Sequence, residues 1–119
     1  MPTYKEGLAI ADAILYMKTT ETRIYTMPFA DILPTTDTSI KSIAAGDSSI
    51  DAFNYAGTDV GSSILSAKSV SGTNMLVTIS ALVLGQEYII KFLAEGSVTS
   101  SRLELQLKVI CRNNLEGEF

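Results

Sequence analysis

The sequence contains no histidine and no tryptophan, and its 119 residues include a single cysteine. Without histidine the commonest general base and the commonest zinc ligand are missing. Neither a Ser-His-Asp nor a Cys-His nucleophile system can be assembled within the chain. One cysteine forms no internal disulfide and no cysteine-rich metal site, so nothing points to an oxidising compartment. Cys111 ends an apolar alternating run and reads as a small buried hydrophobe. Charge is sparse as well. Only 18% of residues are charged, and nine basic against thirteen acidic side chains leave a net charge of -4. A surface of that sign repels a phosphate backbone, and no basic run offsets it, so no nucleic-acid partner is expected.

Long apolar runs are missing too. No window reaches the roughly 18 apolar residues that cross a bilayer, so no membrane partner is expected. Leu8 to Met17 has the apolarity of a short signal core, but Lys5 is followed at once by Glu6, Asp12 interrupts the run, and no small-residue cleavage site follows. The same stretch has a helix-favouring composition, yet its apolar residues fall all around the helical wheel. It must therefore be buried, either as the first element of its own domain or as an arm over residues 1–20 lying against a neighbouring subunit. In the arm reading Leu8, Ile10, Ile14, Leu15 and Met17 are the assembly contacts.

From Thr22 the texture becomes β, with Thr, Ser, Val, Ile and Tyr between closely spaced turn signals. Strands are expected over residues 23–27, 38–44, 50–55, 64–70, 75–79, 87–94 and 102–110. Ser71-Gly-Thr-Asn74 reads as a hairpin connection. The last strand is the cleanest: Leu103, Leu105, Leu107 and Val109 point one way and Glu104, Gln106 and Lys108 the other. Seven short strands, each burying one face, make an all-β sandwich of two stacked sheets over residues 21–111. Residues 112–119 read as a loose tail.

Leu82-Val-Leu-Gly-Gln-Glu-Tyr88 is the strongest local motif. Its spacing resembles the tyrosine corner of immunoglobulin-like sandwiches. In such a corner Leu82 plugs the core, Gly85 allows the sharp turn, and the Tyr88 hydroxyl bonds back to the crossing backbone. The alternative is an ordinary hairpin with a core tyrosine. Either way these three residues are structural. The cysteine pair and core tryptophan of antibody domains are absent.

Tyr25-Thr-Met-Pro-Phe-Ala-Asp-Ile-Leu33, Thr36-Asp-Thr-Ser-Ile40, Gly85-Gln-Glu-Tyr88 and Leu103-Glu-Leu-Gln-Leu-Lys-Val109 together resemble the small immunoglobulin-like structural proteins of tailed bacteriophages and prophages. The resemblance covers about two thirds of the chain. It departs from that pattern in lacking tryptophan and a Gly-Arg before the final strand. It implies a non-enzymatic virion component: a head decoration, head–tail or tail accessory subunit. Other capsid or tail proteins and further copies of the chain would be its partners. The implied location is the virion, and the host cytoplasm during assembly. No catalytic, cofactor or metal residues carry over.

A second reading is a carbohydrate- or ligand-binding module of an adhesin or host-attachment protein. Sugar platforms use exposed aromatic rings, and here only Tyr16 and Tyr55 fall outside core-facing strand positions. An enzyme is the weakest reading. Asp31, Asp37, Asp47, Asp51 and Asp59 read as turn and strand-end residues, and they lack the alternation of a calcium loop. Lys41, Lys68, Lys91 and Lys108 read as guards of strand edges, with contact to an acidic capsid surface as the alternative.

Overall fold

The computed structural model describes residues 12–44 and 47–112. Seven strands are present among them: β1 (Ala13–Met17), β2 (Arg23–Pro28), β3 (Ser49–Asn54), β4 (Leu65–Ser71), β5 (Asn74–Ile79), β6 (Glu87–Glu95) and β7 (Arg102–Cys111). One helical turn, Gly61–Ile64, precedes β4. The strands form a four-stranded sheet in the order β1-β7-β6-β3 and a three-stranded sheet in the order β2-β5-β4. All neighbours are antiparallel except β1 and β7.

Strict alternation decides which side chains meet between the layers. Ile50 and Ala52 of β3, Tyr88, Ile90, Phe92 and Ala94 of β6, and Leu107, Val109 and Cys111 of β7 face one way. Met27, Leu65, Met75, Val77 and Ile79 meet them from the other sheet in one core cluster. The rings of Tyr25 and Phe92 approach to 6.1 Å across the gap. Burial at that density is the main driving force for closing the two layers. The expected seven-stranded all-β sandwich is the observed architecture.

The β4–β5 hairpin turns at Gly72-Thr73, with Gly72 at φ +60°. Two segments differ from the expectation. Residues 38–44 form no strand; they contribute isolated bridges, Ile40 to Gly96 and Ile43 to Ser48. The backbone there is satisfied one bond at a time, with the Ile40 N–H donating to the Gly72 carbonyl and the Lys41 N–H to the Glu95 carbonyl. The seventh strand comes instead from Ala13–Met17, whose composition favours helix. Pairing with β7 and insertion of Met17 into the core override that propensity.

Candidate assembly surface

Between β5 and β6 the chain passes from the three-stranded to the four-stranded sheet. Leu82 is buried at this crossing. Gly85 sits at φ +83°, a region that disfavours side chains, and its N–H donates to the Cys111 carbonyl at 2.9 Å. The Tyr88 ring lies in the core, and its hydroxyl oxygen accepts the Val83 N–H at 3.0 Å. The crossing is thus braced by one phenol, which also satisfies a backbone donor that has left both ladders.

The far end of β6 carries a polar cluster with little local signature. Glu95 is buried; its carboxylate meets Lys41 Nζ at 2.6 Å and Arg102 Nε at 3.0 Å. Its N–H donates to Ser48 Oγ at 3.1 Å. The hydrogen bonds from Lys41 and then Arg102 hold the Glu95 carboxyl below the usual range, and the bond to Glu95 pushes the Lys41 ammonium up. Beside it, Asp37 Oδ1 accepts the Val98 and Thr99 N–H groups at 2.8 and 2.9 Å, while Thr99 Oγ1 donates to Oδ2 at 2.5 Å. The Thr99 hydroxyl, followed by these amides, lowers the Asp37 carboxyl. Both carboxylates therefore tie the segment from Asp37 to Lys41 to the β6–β7 hairpin. The partners of Asp37 and the Lys41 partner of Glu95 lie more than fifty residues away, so no local pattern announced them, whereas Arg102 faces Glu95 across the hairpin itself. Among the described residues no three His, Cys, Asp or Glu side chains converge on a common point.

The outer face of the four-stranded sheet is mixed. Ile89 alternates with the core residues Tyr88 and Ile90, yet on this outer face it is only 2% exposed. In register it stands between Lys108 of β7 and Phe53 of β3. Lys91 Nζ lies 5.0 Å from the centre of the Phe53 ring, and Lys108 pairs with Glu87 at 3.4 Å. The aliphatic stems of lysines thus shield apolar surface while their charges stay wet.

At one margin of this face is β1. Ile14 stands beside Lys108 and Tyr16 beside Ile110, and both are exposed, at 57% and 48%. The Arg112 guanidinium lies 4.1 Å from the Tyr16 ring centre. Leu15 is half-buried. Met17 is 1% exposed and belongs to the core, which corrects its reading as an assembly contact. Leu8 and Ile10 lie outside the described residues.

Edge-guarding fits only one of the four lysines. Lys68 lies on the edge strand β4, beside a register shift where Ala67 has φ +50°. Lys91 and Lys108 occupy interior strands, where they serve the outer-face contacts above. Lys41 is off the strands and bound to Glu95. Of the aspartates, Asp31 and Asp59 are exposed, and Asp59 Oδ1 accepts the Gly61 N–H at 2.9 Å. Asp51 stands opposite Lys91. Tyr16 and Tyr55 are both exposed, but β1 and β3, from which they extend, are opposite margins of one sheet.

The sheet order defines the class. A β2-β5-β4 sheet facing a β7-β6-β3 sheet, with β1 added beside the last strand, is an all-β sandwich, and its strand order and the tyrosine bracing the crossing into β6 resemble those of immunoglobulin-like domains. The sequence matches no protein-family model and no curated protein.

Proposed function

We propose that the chain is a non-enzymatic structural subunit of a tailed-bacteriophage particle, acting through protein–protein assembly at the head, the head–tail junction or the tail. The observation that carries this reading is the margin of the four-stranded sheet. There a short apolar edge strand presents Ile14 and Tyr16 to solvent on an otherwise well-braced sandwich. Edge strands and exposed apolar side chains in one place are the means by which small β domains join neighbours. The phage-like stretches described above supply the class of neighbour. In this reading the protein resides in the virion, and in the host cytoplasm before assembly.

Mass spectrometry of tailed particles purified from cells that encode the chain tests the reading. Peptides at a fixed ratio to the major capsid or tail protein are expected. Their absence from purified particles overturns it. A carbohydrate-binding role draws on the exposed rings of Tyr16 and Tyr55. Those rings extend from margins three strand spacings apart, about 14 Å. They do not make one stacking platform, so the assembly reading is preferred. Specific binding on a glycan array would reverse that preference.

A further inference from the structure

A sandwich of two open sheets has four margins, and three of them here are blunted. Along β3 the chain folds back on itself: the Asn54 N–H donates to the Thr58 carbonyl, the Val60 N–H donates to the Ala52 carbonyl, and Phe53 bridges to Asp59. Along β4 the register breaks between Ser66 and Ser69, at the left-handed Ala67 and beside Lys68. β2 carries Arg23 at one end and, at the other, Pro28, which has no N–H to offer. These are the devices by which edges avoid unwanted pairing. β1, with the sequence AILYM, has none of them: no charge, no proline and no register shift. Among the described residues its only strand neighbour is β7.

The residues flanking β1 make this margin complementary to itself. Asp12 precedes the strand and Lys18 follows it, both exposed. Ile14 and Tyr16 share one parity within the strand and project from the same face, and Asp12 and Lys18 carry that parity just beyond its ends, where Asp12 Oδ2 accepts the Gln106 N–H at 2.7 Å. In an antiparallel pairing of two copies centred on Leu15, Asp12 falls opposite Lys18 of the second copy and Ile14 falls opposite its Tyr16. The two-fold axis then repeats both pairs. Opposite charges and an aromatic facing a β-branched side chain are the favourable cross-strand combinations. A parallel pairing in register would instead set Asp12 against Asp12 and Lys18 against Lys18.

We propose that β1 is a self-docking edge: two copies of the chain join antiparallel through Ala13–Met17, centred on Leu15, to form an isologous dimer with one continuous eight-stranded sheet. The proposal rests on the assembly reading and names its partner as a second copy. A C2 interface is self-complementary by construction, as this strand is.

Charge exchange tests it. Sedimentation velocity at low ionic strength is expected to give a concentration-dependent dimer for the wild-type chain. K18D sets acid against acid at both ends of the interface, and D12K sets base against base. Each is expected to weaken the dimer about tenfold, since exposed pairs are individually modest. An equimolar mixture of the two variants restores opposite charges at both ends, and a heterodimer within about threefold of wild-type affinity is expected. D12K also removes the bond from the Gln106 N–H to Asp12 Oδ2. Thermal melts therefore check its fold, and K18D, which leaves that bond intact, stands by itself.

A chain that stays monomeric to millimolar concentration overturns the proposal. So does a dimer or ring indifferent to both substitutions, or a mixture that fails to recover. Amide exchange that is slow at every concentration for the β1 N–H groups pointing away from β7 would show the chain's own residues covering the edge, and would also overturn it. A monomer found in purified particles retires only the self-docking edge; a dimer absent from particles retires only the virion reading.

Discussion

Asp37 and Gly96 share one space: the Asp37 carboxylate fills the position that a Cβ on residue 96 would have to occupy. The glycine is buried, bridged to Ile40, and donates its N–H to the Ser101 carbonyl. Neither neighbour can move without breaking the Val98 and Thr99 bonds to Asp37. Gly96→Ala is therefore expected to destabilise the fold by displacing Asp37, and Asp37→Ala by orphaning two N–H groups. The double variant should lose less than the sum of the two, because the methyl then enters space already vacated. Urea denaturation of the three proteins measures that coupling.

Tyr88→Phe keeps the buried ring and deletes only the oxygen that accepts the Val83 N–H. A loss of about 1 kcal/mol is expected, the usual worth of one such bond. The midpoint of urea unfolding should fall while its slope stays constant, since the core surface is unchanged.

The strand β1 separates core from surface at adjacent positions. Met17→Ala leaves a cavity among fully buried neighbours, and a loss of about 2–5 kcal/mol is expected. Ile14→Ala and Tyr16→Ala, at exposed positions, should each change monomer stability by less than about 0.5 kcal/mol. Thermal unfolding of dilute protein distinguishes the two classes. Comparable losses at all three positions would contradict the assignment of faces.

Stability should depend on pH only toward the extremes. Asp37 and Glu95 have carboxyls held below their ordinary range, so the folded state binds those protons more weakly than the unfolded chain. Their contribution is complete above about pH 4, the ordinary carboxyl value, and drains away as pH falls through the depressed folded values. Lys41 behaves in the opposite sense. Its raised value gives a contribution complete below its ordinary alkaline range and lost as pH climbs through the higher folded one. With no histidine in the chain, unfolding midpoints measured from about pH 5 to about pH 8 should form a plateau.

Strands whose partners are set by alternation could be read from the residues alone. In β7, Leu107 and Val109 are buried and Glu104 is exposed, as the two-residue period requires. The tyrosine bond was legible because Leu82, Gly85 and Tyr88 do separate jobs at fixed spacing within one short segment. Residues 38–44 misled because Ile40 and Ile43 look like strand residues, while their backbone partners at Gly72, Glu95 and Ser48 belong to distant segments. Glu95 illustrates the same limit. Its carboxylate ends a strand of ordinary appearance; Arg102 meets it across the hairpin, but only the fold brings Lys41, 54 residues away, to it. Lysines within strands do not mark edges by themselves, because a strand's place within a sheet has no local signature.

The parallel pairing of β1 with β7 has a mechanical corollary. These are the first and last strands described, and they run in the same direction side by side. Tension applied to the two ends of the chain would slide one past the other lengthwise, loading the rungs from Ala13–Leu107 to Met17–Cys111 together. An antiparallel terminal pair would open rung by rung from one end. A domain built this way resists stretching through its seam.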